Sequence, residues 1–415
     1  MSTDSSPILL TVPPIREAAH LALLLAAHTS VPCRLVLSGL DTPTRSSLFA
    51  ISSLGAEVFR DGSDLLFAPT PRLRPAPGPV HCGPSPTTLA MVLAQAATMA
   101  RTMDVRASSS VSLDTMRPLL TALESLGATV TRRGPANGPP RLKVQGPIEP
   151  GDVALTHDAT ADHLMALLAA LTVLDGTSTV RAPRGIRHPW MLPMATDFGL
   201  TWSATEADDH VCWQVTGPAE TTRTLYSLPG DWSIGVPLLT GAALMGRPVI
   251  LHGLRAAGPA AVVLDHLKAF GVPTYWSEGA LHLMPAGIEP AGTLDLRSTP
   301  ELAAPLAVLA AFAHGPTVLH TGDLPHLPLL ARALQRVGAQ VERTAGRVTI
   351  QPGDALRGRV GLRTDGHPGL TRALRLLGLR LPAVMVETTS TDPPGYDGLI
   401  SKIRGWPVDH HDAAR

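Results

Sequence analysis

The stretch Met116-Arg117-Pro118-Leu119-Leu120-Thr121-Ala122-Leu123-Glu124-Ser125-Leu126-Gly127-Ala128 decides the fold. Met116, Leu119, Leu120, Leu123 and Leu126 recur at the spacing of one apolar helix face, and Gly127 stands where a left-handed residue ends such a helix. The same ending returns at Leu54-Gly55-Ala56, Phe198-Gly199-Leu200, Phe270-Gly271-Val272 and Val337-Gly338-Ala339, so that successive glycines lie 72, 72, 72 and 67 residues apart. A sixth, Leu377-Gly378-Leu379, follows after only 40 residues, which reads as a last repeat cut short.

Each glycine is followed by two short extended runs around a tight turn, such as Gln340 to Arg343 and Arg347 to Ile350 about Ala345-Gly346, or Glu57 to Arg60 and Leu65 to Phe67 about Asp61-Gly62. These predict hairpins. The other half of a repeat is a run of Leu and Ala, apolar on all sides, then a glycine and a β-branched strand: Leu164 to Leu174 before Gly176 and Val180, Leu238 to Leu244 before Gly246 and Val249-Ile250-Leu251, Leu306 to Phe312 before Gly315 and Val318. A helix apolar all round belongs inside. The expectation is an α/β protein of six βαβαββ-type repeats, the last truncated, with helices interior and sheets forming the wall.

At 415 residues the chain exceeds one comfortable core. A turn-rich segment from Gly217-Pro218 to Leu228-Pro229-Gly230 lies near its midpoint, with Thr221 to Thr224 read as a hinge and Pro13-Pro14 as a second crossing. The expected domains are 13–223, and 1–12 with 224–415. The balance of 34 basic and 34 acidic residues supplies no global field for nucleic acid or an anionic membrane, and neither partner is expected. Apolar runs of about ten residues fall short of the roughly 20 that a bilayer span needs. Met1 to Pro14 has no basic segment leading into an apolar one, so a cytoplasmic protein is expected. Cys33, Cys82 and Cys212 are odd in number and far apart, reading as structural thiols rather than bridges or metal ligands.

Six such repeats in two domains resemble the inside-out α/β barrel of the enolpyruvyl transferase family, closest to EPSP synthase. Leu228-Pro229-Gly230-Asp231-Trp232-Ser233, with the Ala-rich helix and strand after it, resembles the family's Gly-Asp-x-Ser stretch. Pro300-Glu301 before Leu306 to Gly315 resembles its Pro-Asp segment. The resemblance implies transfer of the carboxyvinyl group of phosphoenolpyruvate to a hydroxyl of shikimate 3-phosphate, by a monomer, without metal or organic cofactor. Such substrates call for Lys and Arg on phosphates and carboxylate, and for acids that move protons at the hydroxyl and at the methylene carbon.

Carried over position by position, the family's opening lysine falls on Ile15, with Arg16 next to it, and its arginine on His20. Its Asn-Ala-Gly-Thr segment reads His81 to Thr87, keeping Gly83. An arginine-proline motif lands near Asp114, with Arg117-Pro118 three residues on. Its Ser-Ser-Gln becomes Thr160-Ala161-Asp162, where a carboxylate would repel a phosphate. The acid-base aspartate corresponds to Glu301. The Lys-Glu-x-Asp-Arg run reads Gly322-Asp323-Leu324-Pro325-His326, the Asp-His-Arg run Asp365-Gly366-His367, and the C-terminal lysine falls on Thr391 or Asp392. The expected site is therefore Glu301 and Asp323 for catalysis, with Arg16, His20, Gly83, Thr160, His326 and His367 for binding. Ordinary readings stand beside these: Glu301 as a helix-start carboxylate, Asp231 and Ser233 as caps, the histidines as loop residues, Arg297 and Arg363 as surface. Two functions stay open: an active transferase, or an inactive or repurposed relative binding a less anionic ligand or a protein partner.

Overall fold

The computed structural model describes residues 6–405 apart from 38, 71, 136, 137, 187, 257, 258, 354, 355, 357 and 388–395. The chain forms two compact units, Pro14–Pro229 and Met1–Pro13 with Gly230–Arg415. We call them the N-terminal and C-terminal units. The first holds α1 (Arg16–Ala26), α2 (Thr42–Ser53), α3 (Pro86–Ala97), α4 (Arg117–Ser125), α5 (Ala161–Leu171) and α6 (Met191–Asp197). The second holds α7 (Trp232–Met245), α8 (Ala260–Ala269), α9 (Ala303–Ala310), α10 (Leu327–Arg336), α11 (Pro368–Arg375), α12 (Leu377–Arg380) and α13 (Tyr396–Arg404).

The strands repeat one pattern. In the sheet that flanks α3 and α4, Val80–His81 runs parallel to Met103–Arg106, which pairs antiparallel with Arg141–Gln145, which pairs antiparallel with Thr129–Arg132. Four further sheets have this same order of one parallel and two antiparallel pairs. A sixth, Val360–Leu362 with Val384–Val386, has only the parallel pair among the described residues, as a truncated repeat requires.

Helices alternate between inside and outside as their composition dictates. All of α3 after Pro86 is buried, as are His163 to Leu171 of α5, Ile234 to Leu244 of α7 and the whole of α9. The one-faced α4 buries Pro118, Leu119, Ala122 and Leu123. Gly55, Gly127, Gly199, Gly271 and Gly338 all have positive φ, between 74° and 106°, so the helix-ending reading holds at five of the six sites. The sixth is corrected: Gly378 lies within α12 and has no left-handed conformation.

Each unit borrows one strand from across the sequence. Ile8–Thr11 runs parallel to Val249–His252, from Ile8 beside Val249 to Thr11 beside His252. Leu225–Ser227 runs parallel to Cys33–Val36. The segment read as a hinge is tied down: Thr221 is buried, its carbonyl accepts the Ser30 N–H at 3.0 Å, and the Thr224 carbonyl accepts the Arg34 N–H at 2.8 Å. The passage between units falls after the borrowed strand, at Pro229–Gly230, because residues 225–227 must first complete their sheet. Cys33 and Cys82 are buried, Cys212 is half-buried, and all three are free thiols. Burial pushes the Cys33 thiol up to about 11.

Candidate active site

In the N-terminal unit the residues of interest gather where helices begin. Arg16, the first residue of α1, is partly engaged by an acid: its Nε donates to Asp41 Oδ2 at 2.6 Å. Asp41 is the N-cap of α2, and its other oxygen accepts both the backbone N–H (2.9 Å) and the hydroxyl (2.6 Å) of Thr44. Burial pushes this carboxyl up, but the Thr44 bonds and Arg16 outweigh it and hold it below the usual carboxylate range.

His20 departs from the expected role. It lies one turn into α1, fully buried, with Nδ1 2.7 Å from Ser47 Oγ, which is in turn 2.8 Å from Thr88 Oγ1. Burial lowers its pKa to about 4, with Asp41 pulling up and Arg16 pushing down. A neutral core imidazole with no path to solvent cannot hold a substrate anion, so the structure removes His20 from the binding set. Its apolar neighbours at 21–26 signal this, since every residue of α1 after Glu17 is buried.

Gly83 keeps a left-handed φ of 60°, and a Cβ there would lie 2.5 Å from Ser46 Oγ. Its requirement is thus local: the turn before α3 packs against α2. Thr160 is the N-cap of α5, in a capping box with His163, whose Nδ1 accepts the Thr160 N–H at 3.1 Å. In this same first turn, Asp162 Oδ2 accepts the Thr87 hydroxyl at 2.8 Å, joining the starts of α5 and α3. Burial raises the Asp162 carboxyl; the Thr87 bond lowers it, Glu17 raises it and His188 lowers it.

In the C-terminal unit the sequence-selected residues again sit at helix starts. Glu301 is exposed within the 3-10 turn Pro300–Leu302 that leads into α9. Asp323 is exposed in the turn before α10. His326 precedes α10 and His367 is the N-cap of α11, with Nδ1 accepting the Leu370 N–H at 3.1 Å. Forty-one positions apart in sequence, the two rings meet with centroids at 4.1 Å. Burial and the neighbouring ring lower the pKa of His326; burial lowers that of His367, its own backbone bond pulls up, and Arg372 pushes down. From α11, Arg372 donates to the Ser233 hydroxyl at 3.0 Å at the start of α7, where Asp231 is the cap.

Three further arginines singled out in the sequence lie beside acids. Arg297 forks onto Asp295 through Nε and Nη2, Arg363 lies 3.2 Å from Asp365, and Arg117 lies 3.7 Å from Asp114. The Arg297 bonds hold the Asp295 carboxyl far below its ordinary value. Thr391 and Asp392 lie outside the described residues. Among the described residues no helix is long and apolar enough to cross a membrane, and no group of three or more His, Cys, Asp or Glu is placed to hold a metal ion.

Known proteins match this chain almost end to end. The family model for EPSP synthase (3-phosphoshikimate 1-carboxyvinyltransferase) matches residues 8–361. A 3-phosphoshikimate 1-carboxyvinyltransferase of Halobacterium salinarum is 29% identical over 387 residues, 88% of each chain. That of Methanothrix thermoacetophila is 25% identical over 403 residues, 94% of each chain. Among solved structures, an EPSP synthase from Acinetobacter baumannii is similar with a TM-score of 0.76 at 17% identity, covering 95% of both chains. The enolpyruvyl transferase NikO from Streptomyces tendae is similar with a TM-score of 0.61 at 19% identity, covering 97% of this chain and 92% of that one. These structures bear on the fold alone. The repeats, the borrowed strands and a family match over residues 8–361 lead to one conclusion: the chain belongs to the EPSP synthase family, with a two-domain α/β fold of that type.

Proposed function

We propose that the protein is an enolpyruvyl transferase acting with phosphoenolpyruvate as donor and, following its family, shikimate 3-phosphate as acceptor, in the shikimate pathway. The observation that carries this reading is the family match over residues 8–361. In the proposed reaction the acceptor oxygen bonds to the substituted vinyl carbon of phosphoenolpyruvate, phosphate leaves, and the carboxyvinyl group ends on the acceptor. Asp323 and Glu301, exposed acids on the C-terminal unit, take the proton-transfer roles at the hydroxyl and the methylene carbon. His326 and His367 take the anion-holding role, and Arg16 contributes what its bond to Asp41 leaves free.

The test is phosphate release by the purified chain with phosphoenolpyruvate and shikimate 3-phosphate, compared with Glu301→Gln and Asp323→Asn. Turnover that falls at least 100-fold in either variant supports the reading and the assignment. Turnover unchanged by both substitutions removes those residues, and none in the parent chain removes the reaction. A second reading, a repurposed relative binding a less anionic ligand, draws on two observations: Arg16 is engaged by Asp41, and His20 is buried in the core.

A further inference from the structure

We infer that two copies of this chain associate, face to face about a twofold axis, through the outer surface of the sheet built on the borrowed strand Ile8–Thr11. This departs from the monomer that the family resemblance implies. The strands of the sheet lie in the order Ile8–Thr11, Val249–His252, Ala280–Leu283, Thr274–Ser277. Their register sets Leu9 beside Ile250, Ile250 beside His282 and His282 beside Tyr275, one row across all four strands. Leu10, Leu251 and Leu281 alternate with these positions and are buried, so the row points away from the core. Leu9 is 59% exposed, Tyr275 48%, and Met284, just past its strand, 43%. The Tyr275 and His282 rings stack with centroids 5.0 Å apart and 13° from parallel, which widens the row into a flat plate.

Charge separates this face from its counterparts. None of its outward positions bears Asp, Glu, Lys or Arg, whereas each of the other four-stranded sheets carries one there: Arg34, Lys143, Arg181 and Glu342. The sheet that exposes Leu225 and Phe59 has Arg34 between them in the same row, paired with Asp61 and Asp64. A twofold contact sets a face against its own copy, so a charged row would meet like charges and an uncharged one meets apolar surface. The 34 basic and 34 acidic residues leave no net charge to hold two copies apart, which favours a second copy over a strongly charged partner. Beside the row a groove of about 820 Å³, with Pro7, Met245, Met284 and Pro285 in its walls, has room for side chains of the second copy. Area sets the strength. Four strands about 4.8 Å apart and four residues of about 3.4 Å each outline roughly 260 Å², about a third of what a standard interface uses on each side. The dimer is therefore weak, with an expected dissociation constant of about 10–100 µM.

The experiment is sedimentation velocity of the full chain from about 2 to about 400 µM, a range that brackets the expected constant. The parent protein should pass from monomer to dimer across it. Tyr275→Lys and Leu9→Lys, on opposite edges of the sheet, should each weaken the dimer at least tenfold, because a twofold axis brings the new charge near its own copy. Leu225→Lys, on the corresponding face of the N-terminal unit, should leave it unchanged. All three side chains are exposed, and an unfolding temperature equal to that of the parent shows that a variant has kept its fold. A parent protein that stays monomeric at every concentration overturns the inference. So does a dimer that neither Tyr275→Lys nor Leu9→Lys weakens, or an assembly that grows past two copies, as a head-to-tail contact would. No substrate enters the measurement, so its outcome is independent of the transferase reading.

Discussion

His20 shows how one residue's surroundings reassign it. Held neutral in the core with a pKa near 4, against an ordinary value of 6.5, it takes up a proton in the unfolded chain before it does so in the native one. Stability from this group is complete above pH 6.5, and falling pH removes it progressively down to about 4. The loss approaches about 3 kcal/mol. Urea unfolding at pH 7.5 and pH 4.5 should show it, and His20→Gln should flatten the difference. Ser47→Ala should cost about 1–3 kcal/mol at neutral pH, because it strands a buried imidazole nitrogen. The His326–His367 pair behaves differently, since both rings reach the surface region of the C-terminal unit. Their pKa values are lowered, so at pH 8 they carry little charge, and protonation on acidification adds it. Sulfate, whose charge is constant over this range, should bind more tightly as pH falls from 8 to 5.5. The double substitution His326→Arg and His367→Arg should remove that dependence and tighten phosphoenolpyruvate binding at pH 8 by at least tenfold, read by calorimetry.

At the scale of elements, the glycines that end the outer helices are held by backbone conformation. Gly127 has φ of 106° and a Cβ there would meet only the Pro147 carbonyl at 3.9 Å, so Gly127→Ala isolates the conformational cost. About 1–2 kcal/mol should be lost. Gly378 is the internal control. It lies in α12 without positive φ, and the nearest atom to an added Cβ is 3.6 Å away, so Gly378→Ala should be neutral or gain a few tenths of a kcal/mol. Equal losses at both positions, in urea unfolding, would sink the distinction. That difference was not legible in the repeated motif, because Leu-Gly-Leu has the same local appearance whether the helix stops there or runs on. The interior helices were legible, since α5 and α9 are apolar on every side and only an internal position buries all of it.

For the whole molecule, the borrowed strands make each unit depend on residues from far along the chain. Leu10, on the strand paired with Val249–His252, is 1% exposed in the core of the C-terminal unit. Leu10→Ala should destabilise that unit by about 2–5 kcal/mol. Limited proteolysis should then cut within 230–405 well before it cuts within 14–229; equal susceptibility would refute the assignment of Leu10 to one core. By itself the sequence determined the six-fold repeat, the interior helices and the family, because helix periodicity, a left-handed glycine and the turn of a hairpin are properties of a few neighbouring residues. Only the tertiary structure decided what the charged and titratable groups can do. Arg16 meets Asp41 from 25 positions away, His20 meets Ser47 from 27, Thr87 meets Asp162 from 75, and the two histidine rings close across 41. Whether a charge is free, matched or buried depends on partners brought near by folding, and no local pattern records them.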